Sequence, residues 1–165
     1  MSERRLLPVL LTIALLAAVG GMAANSGDDD REFKAVLNGA NESTPVVTDA
    51  TGKAEFEVNR DQTKIKFELK FRNATDILSA AGAHIHCAPE GVDGPIVAFL
   101  AGSVNGGFDG KVEIEATLTA ANITNPVCGA TIADLVQSMR DGNTYVNAHS
   151  TAHPGGEIRG QIKGD

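Results

Sequence analysis

The sequence predicts an all-β fold, an antiparallel sandwich or barrel of about eight strands with one short helix. From Phe33 onward, apolar residues alternate with charged ones, for example over 54–58 and 65–71. This is the pattern of strands that turn one face to a core and the other to water. Clusters of Gly, Asn, Asp and Pro separate these runs at short intervals, as turns between consecutive strands do. The length of 165 residues suits a single domain.

The strand candidates are short apolar or alternating runs bounded by these turn signals. They cover residues 33–37, 54–58, 65–71, 83–87, 96–100, 112–118, 145–149 and 157–162. Only the segment 132–140 places its apolar residues at helical spacing. Thr131 can cap the start of this helix and Gly142 can follow its end. We therefore expect one helix among about eight strands.

The first 24 residues predict an export signal, or an N-terminal anchor if the segment is not cleaved. Arg4 and Arg5 precede an apolar run that ends in small residues at 20–24. The run approaches the length of about 20 residues that spans a bilayer, so the anchor stays an alternative. Residues 25–32 predict an acidic linker, and 33–163 the folded domain. Both alternatives predict a secreted or extracytoplasmic domain, with the membrane contacted only through an uncleaved N-terminus.

The charge and composition argue against a nucleic-acid partner. The formal net charge is −7 and the sequence pI is about 5.0, whereas nucleic-acid-binding domains normally present a basic face. Only 4% of the residues are aromatic, which leaves few side chains for base stacking. The expected partners are a metal ion, a small anion, or an envelope or extracellular component.

The four histidines lie in two short segments and predict a metal site. His84 and His86 are two apart in a strand, so they share a face opposite the apolar residues between and beside them. The same test sends His149 and Arg159 to the outer face of their strands. If these strands are neighbours, the three imidazoles converge, and His153 on the next loop can close over them. Such a cluster suits copper or zinc. The alternative is a solvated strand face.

The two cysteines, Cys87 and Cys128, favour a disulfide, because an exported chain folds where disulfides persist. The alternative is a copper centre that uses Cys87 as a thiolate ligand together with a histidine and a methionine. Met139 is the only methionine beyond the N-terminal segment, and it lies in the predicted helix.

The chain resembles the CHRD domain family, named for chordin. The matching stretches are residues 33–58, the segment AHIHCAPEGVDGPIVAFL at 83–100 and the segment YVNAHSTAHPGGEIRGQI at 145–162. This resemblance implies an extracytoplasmic β-sandwich.

A more distant resemblance concerns the histidine site alone. Its order of motifs is similar to that of copper-zinc superoxide dismutases: a His-x-His strand, a disulfide beside it, a later strand-borne histidine, and an arginine near the final strand. The expected sandwich is immunoglobulin-like or superoxide-dismutase-like, and this likeness implies at most a mononuclear, copper-only site. No histidine lies between His86 and His149 to bridge a second metal. Arg159 would then be the candidate catalytic side chain, attracting a small anion such as superoxide.

Three functions remain open from the sequence. The first is an exported domain that binds one copper ion through His84, His86 and His149, with His153 auxiliary and redox activity undecided. The second is a non-catalytic extracellular binding module. The third is a purely structural zinc site. The sequence leaves open whether the protein is an enzyme.

Overall fold

The computed structural model describes residues 31–164 of the chain. The expected signal or anchor at 1–24 lies outside the described residues, as does most of the expected linker. The first strand begins at Glu32, one residue before the predicted strand 33–37.

Within residues 31–164 there are nine strands, one α-helix and three short 3-10 helices. The strands are β1 (Glu32–Asn38), β2 (Thr51–Val58), β3 (Lys64–Ile77), β4 (Ala83–Cys87), β5 (Ile96–Ala101), β6 (Phe108–Thr119), β7 (Thr144–Ala148), β8 (Ile158–Gln161) and β9 (Lys163–Gly164). The helix α1 spans Ile132–Arg140, and the 3-10 helices span Gly39–Asn41, Ala120–Asn122 and Pro126–Cys128.

The strands form one antiparallel sheet that curls into a nearly closed barrel. Their order across the sheet is β5-β4-β7-β8-β1-β2-β3-β6, with β9 pairing beside β1. The two ends of this order approach each other, since Ala98 of β5 pairs with Ile123 just after β6. The neighbouring Thr124 N–H donates to the Val97 carbonyl at 2.8 Å. The predicted all-β antiparallel fold with about eight strands and one helix is confirmed.

β3 is longer than the sequence pattern predicted, because bulges carry it past the end of the alternation. Its register with β6 shifts between Phe71 and Ala74 and again between Ala74 and Ile77. Asn73 and Asp76, within the same stretch, have φ values of 51° and 43°. These left-handed residues let the strand continue after its regular period is lost.

The hydrophobic core fills the inside of the curled sheet. The alternating residues of β1, β2 and β3 enter it, including Phe67, Leu69 and Phe71 of β3, each at most 2% exposed. The helix covers one end of the core with Ile132, Leu135, Val136 and Met139. At its start, the Thr131 hydroxyl accepts the Asp134 N–H while the Asp134 carboxylate accepts the Thr131 N–H. This reciprocal cap explains why the helix begins where the sequence predicted.

Among residues 31–164, no helix has the length and apolar character that crossing a membrane would require.

Candidate metal site

The predicted histidine strands are neighbours in the sheet. β4 pairs with β7 and β7 pairs with β8, all antiparallel. In this register His84 lies opposite Asn147, and Asn147 lies opposite Arg159. His149 directly follows β7 and stays aligned with β4, since its N–H donates to the Gly82 carbonyl at 3.0 Å. The strand pairing that the facing argument required is therefore present.

Three imidazoles converge on the face of these strands that is opposite the core. His84, His86 and His149 each offer one ring nitrogen, and these three nitrogens lie within 4.8 Å of one another. We call this group the histidine cluster. Two members lie on β4 and the third directly follows the neighbouring β7, so the sheet pairing sets their separation.

The histidine cluster is buried, whereas the sequence predicted it on an outer, solvent-facing surface. His84 is 1% exposed, His149 6% and His86 9%. The alternation correctly assigned the side of the sheet, but it does not show what lies above that side. The loops after β4 and after β7 lie over the rings and accept hydrogen bonds from them, at Gly94 and Pro154 respectively.

These two loop carbonyls determine which ring nitrogen is free. The Nδ1–H of His86 donates to the Gly94 carbonyl at 2.9 Å, and the Nδ1–H of His149 donates to the Pro154 carbonyl at 3.1 Å. A neutral imidazole carries one N–H, so Nε2 of each ring keeps its lone pair. The buried Nε2 of His86 has no hydrogen-bond partner in the protein. A backbone carbonyl that fixes the tautomer in this way is a common partner of metal-binding histidines.

The separation of the ring nitrogens of His84 and His149 fits two ligands of a single ion. Nδ1 of His84 lies 3.3 Å from Nε2 of His149 and donates a hydrogen bond to it, because Nδ1 of His149 already carries a proton. An ion held between these two nitrogens would replace that hydrogen bond. Two nitrogen ligands with bonds of about 2.0–2.1 Å at a tetrahedral angle lie about 3.3–3.4 Å apart. The edge-to-face contact of His84 with Phe99, at 4.5 Å between ring centroids, packs the other side of this imidazole.

Burial keeps the three rings neutral. Desolvation, with smaller contributions from the neighbouring His149 and His86, lowers the pKa of His84 to about 4. Burial is also the main cause that lowers the pKa of His86 and of His149. At neutral pH the cluster is therefore in the deprotonated form that binds metals.

The structure places His153, the predicted auxiliary ligand, outside the histidine cluster. This half-buried residue lies in the loop after β7, and its N–H donates to the Ser150 hydroxyl at 3.2 Å. Its neighbours line a cleft between residues 42–46 and 152–156. Its role as a ligand stays a prediction.

Arg159 lies on the predicted face of β8 but is buried rather than exposed. It is 1% exposed, and its guanidinium donates to the Val92 carbonyl at 2.7 Å and to the Asp93 carboxylate at 3.1 Å. The expected exposure is wrong, because the loop after β4 covers this arginine as it covers His86. The attraction of an anion by Arg159 stays a prediction.

A second buried polar group lies beside the cluster, and sequence reasoning missed it. Glu42, in the loop after β1, accepts a hydrogen bond from Nδ2 of Asn147 at 3.2 Å. Burial raises the pKa of Glu42 to about 7, against the lowering effects of Asn147 and Arg159. Glu157 is also buried and accepts from the Thr48 hydroxyl at 2.7 Å. The alternation of residues 145–149 predicted that Asn147 shares the outer face of its strand with Tyr145 and His149. No sequence signal pointed to Glu42.

Cys87 and Cys128 form the disulfide that the sequence favoured, with their Cα atoms 5.9 Å apart. The bridge joins the end of β4 to the 3-10 helix Pro126–Cys128. It also excludes the alternative copper centre, since the Cys87 sulfur is already bonded. Met139, the methionine of that alternative, is fully buried in the core.

Fold and site together define a small antiparallel β-barrel domain that carries a buried three-histidine cluster beneath its loops. The family model of the CHRD domain matches residues 33–162, which covers nearly all of the described chain. The chain therefore belongs to the CHRD domain family, whose domains are extracellular. No curated protein and no solved structure matches the chain significantly.

Proposed function

We propose that this extracellular domain binds one metal ion through His84 Nδ1, His86 Nε2 and His149 Nε2. The observation that carries the proposal is the convergence of three neutral ring nitrogens within 4.8 Å. Loop carbonyls hold two of the rings in the metal-binding tautomer. A solvated strand face, the alternative explanation for a His-x-His pair, does not account for rings that are at most 9% exposed.

Copper is the first candidate metal, and zinc is its competitor. Imidazole nitrogen suits both ions, and copper binds a given nitrogen site more tightly than zinc in the general order of divalent affinities. The cluster contains no carboxylate, so it does not suit calcium or magnesium, which prefer oxygen ligands.

The test is metal binding by the purified protein and its histidine variants. Metal analysis of protein loaded with copper or with zinc should find one ion per chain. The EPR spectrum of the Cu(II) form should show one copper species. His84→Ala and His149→Ala should each weaken copper binding by more than about 100-fold, because losing only a ligand's supporting partner already costs about 10–100-fold. Lys163→Gln, an exposed change outside the histidine cluster, is the control and should bind copper like the original protein. His153→Ala, which removes the predicted auxiliary ligand, should weaken copper binding less than either of the other histidine variants. No copper bound, or equal binding in all variants, would contradict the proposal.

Redox activity, including dismutation of superoxide, is a second and separate proposal. It is supported by the order of the histidine, cysteine and arginine motifs along the chain, and three ligands leave copper a coordination position for a small molecule. Copper-loaded, zinc-loaded and metal-free protein should be compared for the rate of superoxide loss. A rate confined to the copper form and lost in His149→Ala would support catalysis. A rate no greater than that of the zinc form would instead support a non-catalytic extracellular module.

A further inference from the structure

Tyr145 lies between a candidate ligand and a buried arginine. Its ring stacks on His86, with centroids 4.8 Å apart and an interplanar angle of 13°. On the other side, the Arg159 guanidinium carbon lies 3.5 Å from the Tyr145 ring centroid. β7 carries Tyr145 and runs between β4 and β8, so its two neighbours reach it from opposite sides. The three side chains form a continuous stack that ends on a ring of the histidine cluster.

The same three residues also hold the loop 88–95, which we call the β4–β5 loop. The Gly94 carbonyl of this loop accepts the Nδ1–H of His86, and the Gly94 N–H donates to the Tyr145 hydroxyl at 3.2 Å. Arg159 donates to Val92 and Asp93, just before Gly94. The stack and the loop therefore act on the same imidazole, one on its face and the other on its Nδ1–H.

The close approach of the loop to β4 restricts Gly94 itself. A Cβ added at Gly94 would lie 2.0 Å from the Cys87 carbonyl oxygen. Only glycine allows the backbone to come this near, and this approach brings the Gly94 carbonyl within reach of the His86 ring.

The ion pair of Arg159 does not explain its burial. Its acidic partner, Asp93, has a side chain that is 72% exposed, whereas that of Arg159 is 2% exposed. Burying a guanidinium costs free energy that a half-solvated pair recovers poorly. The planar fork of arginine can stack on an aromatic ring while donating several hydrogen bonds, which lysine cannot do. The geometry therefore uses properties specific to arginine.

We propose that Arg159 and Tyr145 are positioning residues of the metal site, holding His86 in the orientation and tautomer that direct its Nε2 toward the ion. This inference rests on the proposed metal binding, but the tautomer can be measured without metal. It assigns Arg159 a role inside the protein that is separate from the predicted attraction of an anion.

The experiment compares Arg159→Lys, Tyr145→Leu and Tyr145→Phe with the original protein. Lys163→Gln is the matched control, because Lys163 also contacts the β4–β5 loop, through Glu90 at 3.2 Å, but is exposed. The first readout is the nitrogen-15 spectrum of the histidine rings in metal-free protein near neutral pH. It reports which nitrogen of His86 carries the proton. The second readout is the copper dissociation constant.

We expect His86 to be protonated at Nδ1 in the original protein and in Lys163→Gln. Arg159→Lys and Tyr145→Leu should each produce a mixture of tautomers and weaken copper binding by about 10–100-fold, the usual effect of losing a ligand's supporting partners. Tyr145→Phe keeps the stack and loses only the hydroxyl that accepts the Gly94 N–H, so its effect should be smaller. The control should stay within about twofold of the original, as surface substitutions usually do.

Two results would overturn the inference. One is an unchanged His86 tautomer in folded Arg159→Lys and Tyr145→Leu. The other is copper binding by both variants within about twofold of the original protein. If Arg159→Lys does not fold, the His86 tautomer and the copper affinity of the two tyrosine variants test the inference. If the original protein binds no copper, the proposed function fails, while the ring spectra still decide whether Arg159 and Tyr145 hold the tautomer of His86.

Discussion

The two halves of the sheet carry outward faces of opposite character. We call β2, β3 and β6 the open half, and β4, β7 and β8 the covered half. The outward side chains of the open half form partly exposed ion pairs, such as Lys53–Glu55 and Lys66–Glu115. Those of the covered half include His84, Tyr145 and Arg159, each at most 2% exposed. Both halves follow the same two-residue alternation, yet only one outward face reaches water.

The difference arises from the connections between strands. β2 and β3 are joined by a short turn at 59–63 whose residues are exposed or partly exposed. The covered half is flanked by the longer segments 39–50, 88–95 and 149–157, which contribute Glu42, Gly94 and Pro154 to the outward face. A strand face that looks solvent-directed in the sequence becomes a buried polar layer when loops lie over it. Hydrogen bonds to the covering loops order several side chains of this layer, although atoms such as Nε2 of His86 have no partner in the protein.

Removing the disulfide at the end of β4 should cause the largest loss of stability that we predict. Cys87→Ala combined with Cys128→Ala should lower the free energy of unfolding by about 3–4 kcal/mol, since the bridge closes a long loop in the unfolded chain. The sequence separation of the two cysteines is 41. Urea unfolding measures the change. Hydrogen exchange should show faster opening of β4 and β5 before β2 and β3. Equal acceleration in both halves would mean that the two halves do not differ in their local support.

Breaking one contact of the buried polar layer should cost less than losing the bridge, yet more than any change on the open face. Asn147→Ala removes the amide that donates to Glu42 and leaves this buried carboxyl without that partner. Losing such a partner costs about 1–3 kcal/mol. The urea midpoint measures the loss. An unchanged midpoint would show that the covered layer is not held by its hydrogen bonds.

The comparison also shows how far the sequence alone could lead. Alternation correctly placed His84, His86, His149 and Arg159 on one side of their strands, because side-chain direction in a strand follows from the period of two. It could not show that the strands were neighbours, since pairing depends on contacts between residues distant in the chain. Membership in the sheet was therefore predictable and the sheet order was not.

Burial of the site was the main property that alternation could not provide. A loop has no period, so nothing in residues 39–50 indicated that Glu42 would face Asn147 on a distant strand. The extension of β3 was missed for a related reason, since Asn73 and Asp76 interrupt the alternation at bulges. The strand faces were predictable from local rules, whereas the cover and the irregularities depend on tertiary contacts.

The titration of Glu42 provides a sharper test of the covered layer. Its pKa is raised from 4.5 to about 7, mainly by burial, so the folded protein keeps a proton that the unfolded chain has lost between these values. Stability from this group therefore falls as the pH rises through that window. Glu42→Gln keeps an acceptor for Asn147 and removes the charge. The free energy of unfolding of Glu42→Gln should exceed that of the original protein by an amount that grows with pH. Above pH 7 the difference should reach about 1–2 kcal/mol, after allowance for partial solvent screening.

Urea unfolding of Glu42→Gln and of the original protein across this window measures the effect. Glu57→Gln, an exposed glutamate on β2, is the control for removing one negative charge. A Glu42→Gln advantage that is independent of pH, or that shrinks as the pH rises, would contradict the burial of this carboxyl.

The smallest effect should come from the open half, and it should depend on salt. The Lys70 ammonium contacts the Glu68 carboxylate at 2.6 Å and that of Glu113 at 3.7 Å, all on a solvated face. At an ionic strength of about 0.15 M, screening acts over about 8 Å, so Lys70→Ala should leave the urea midpoint nearly unchanged. At low salt the remaining glutamates repel one another, and the variant should become less stable than the original protein. A loss as large as that of Asn147→Ala, unaffected by salt, would mean that the open face is held as tightly as the covered one, because an effect that salt cannot screen comes from buried contacts.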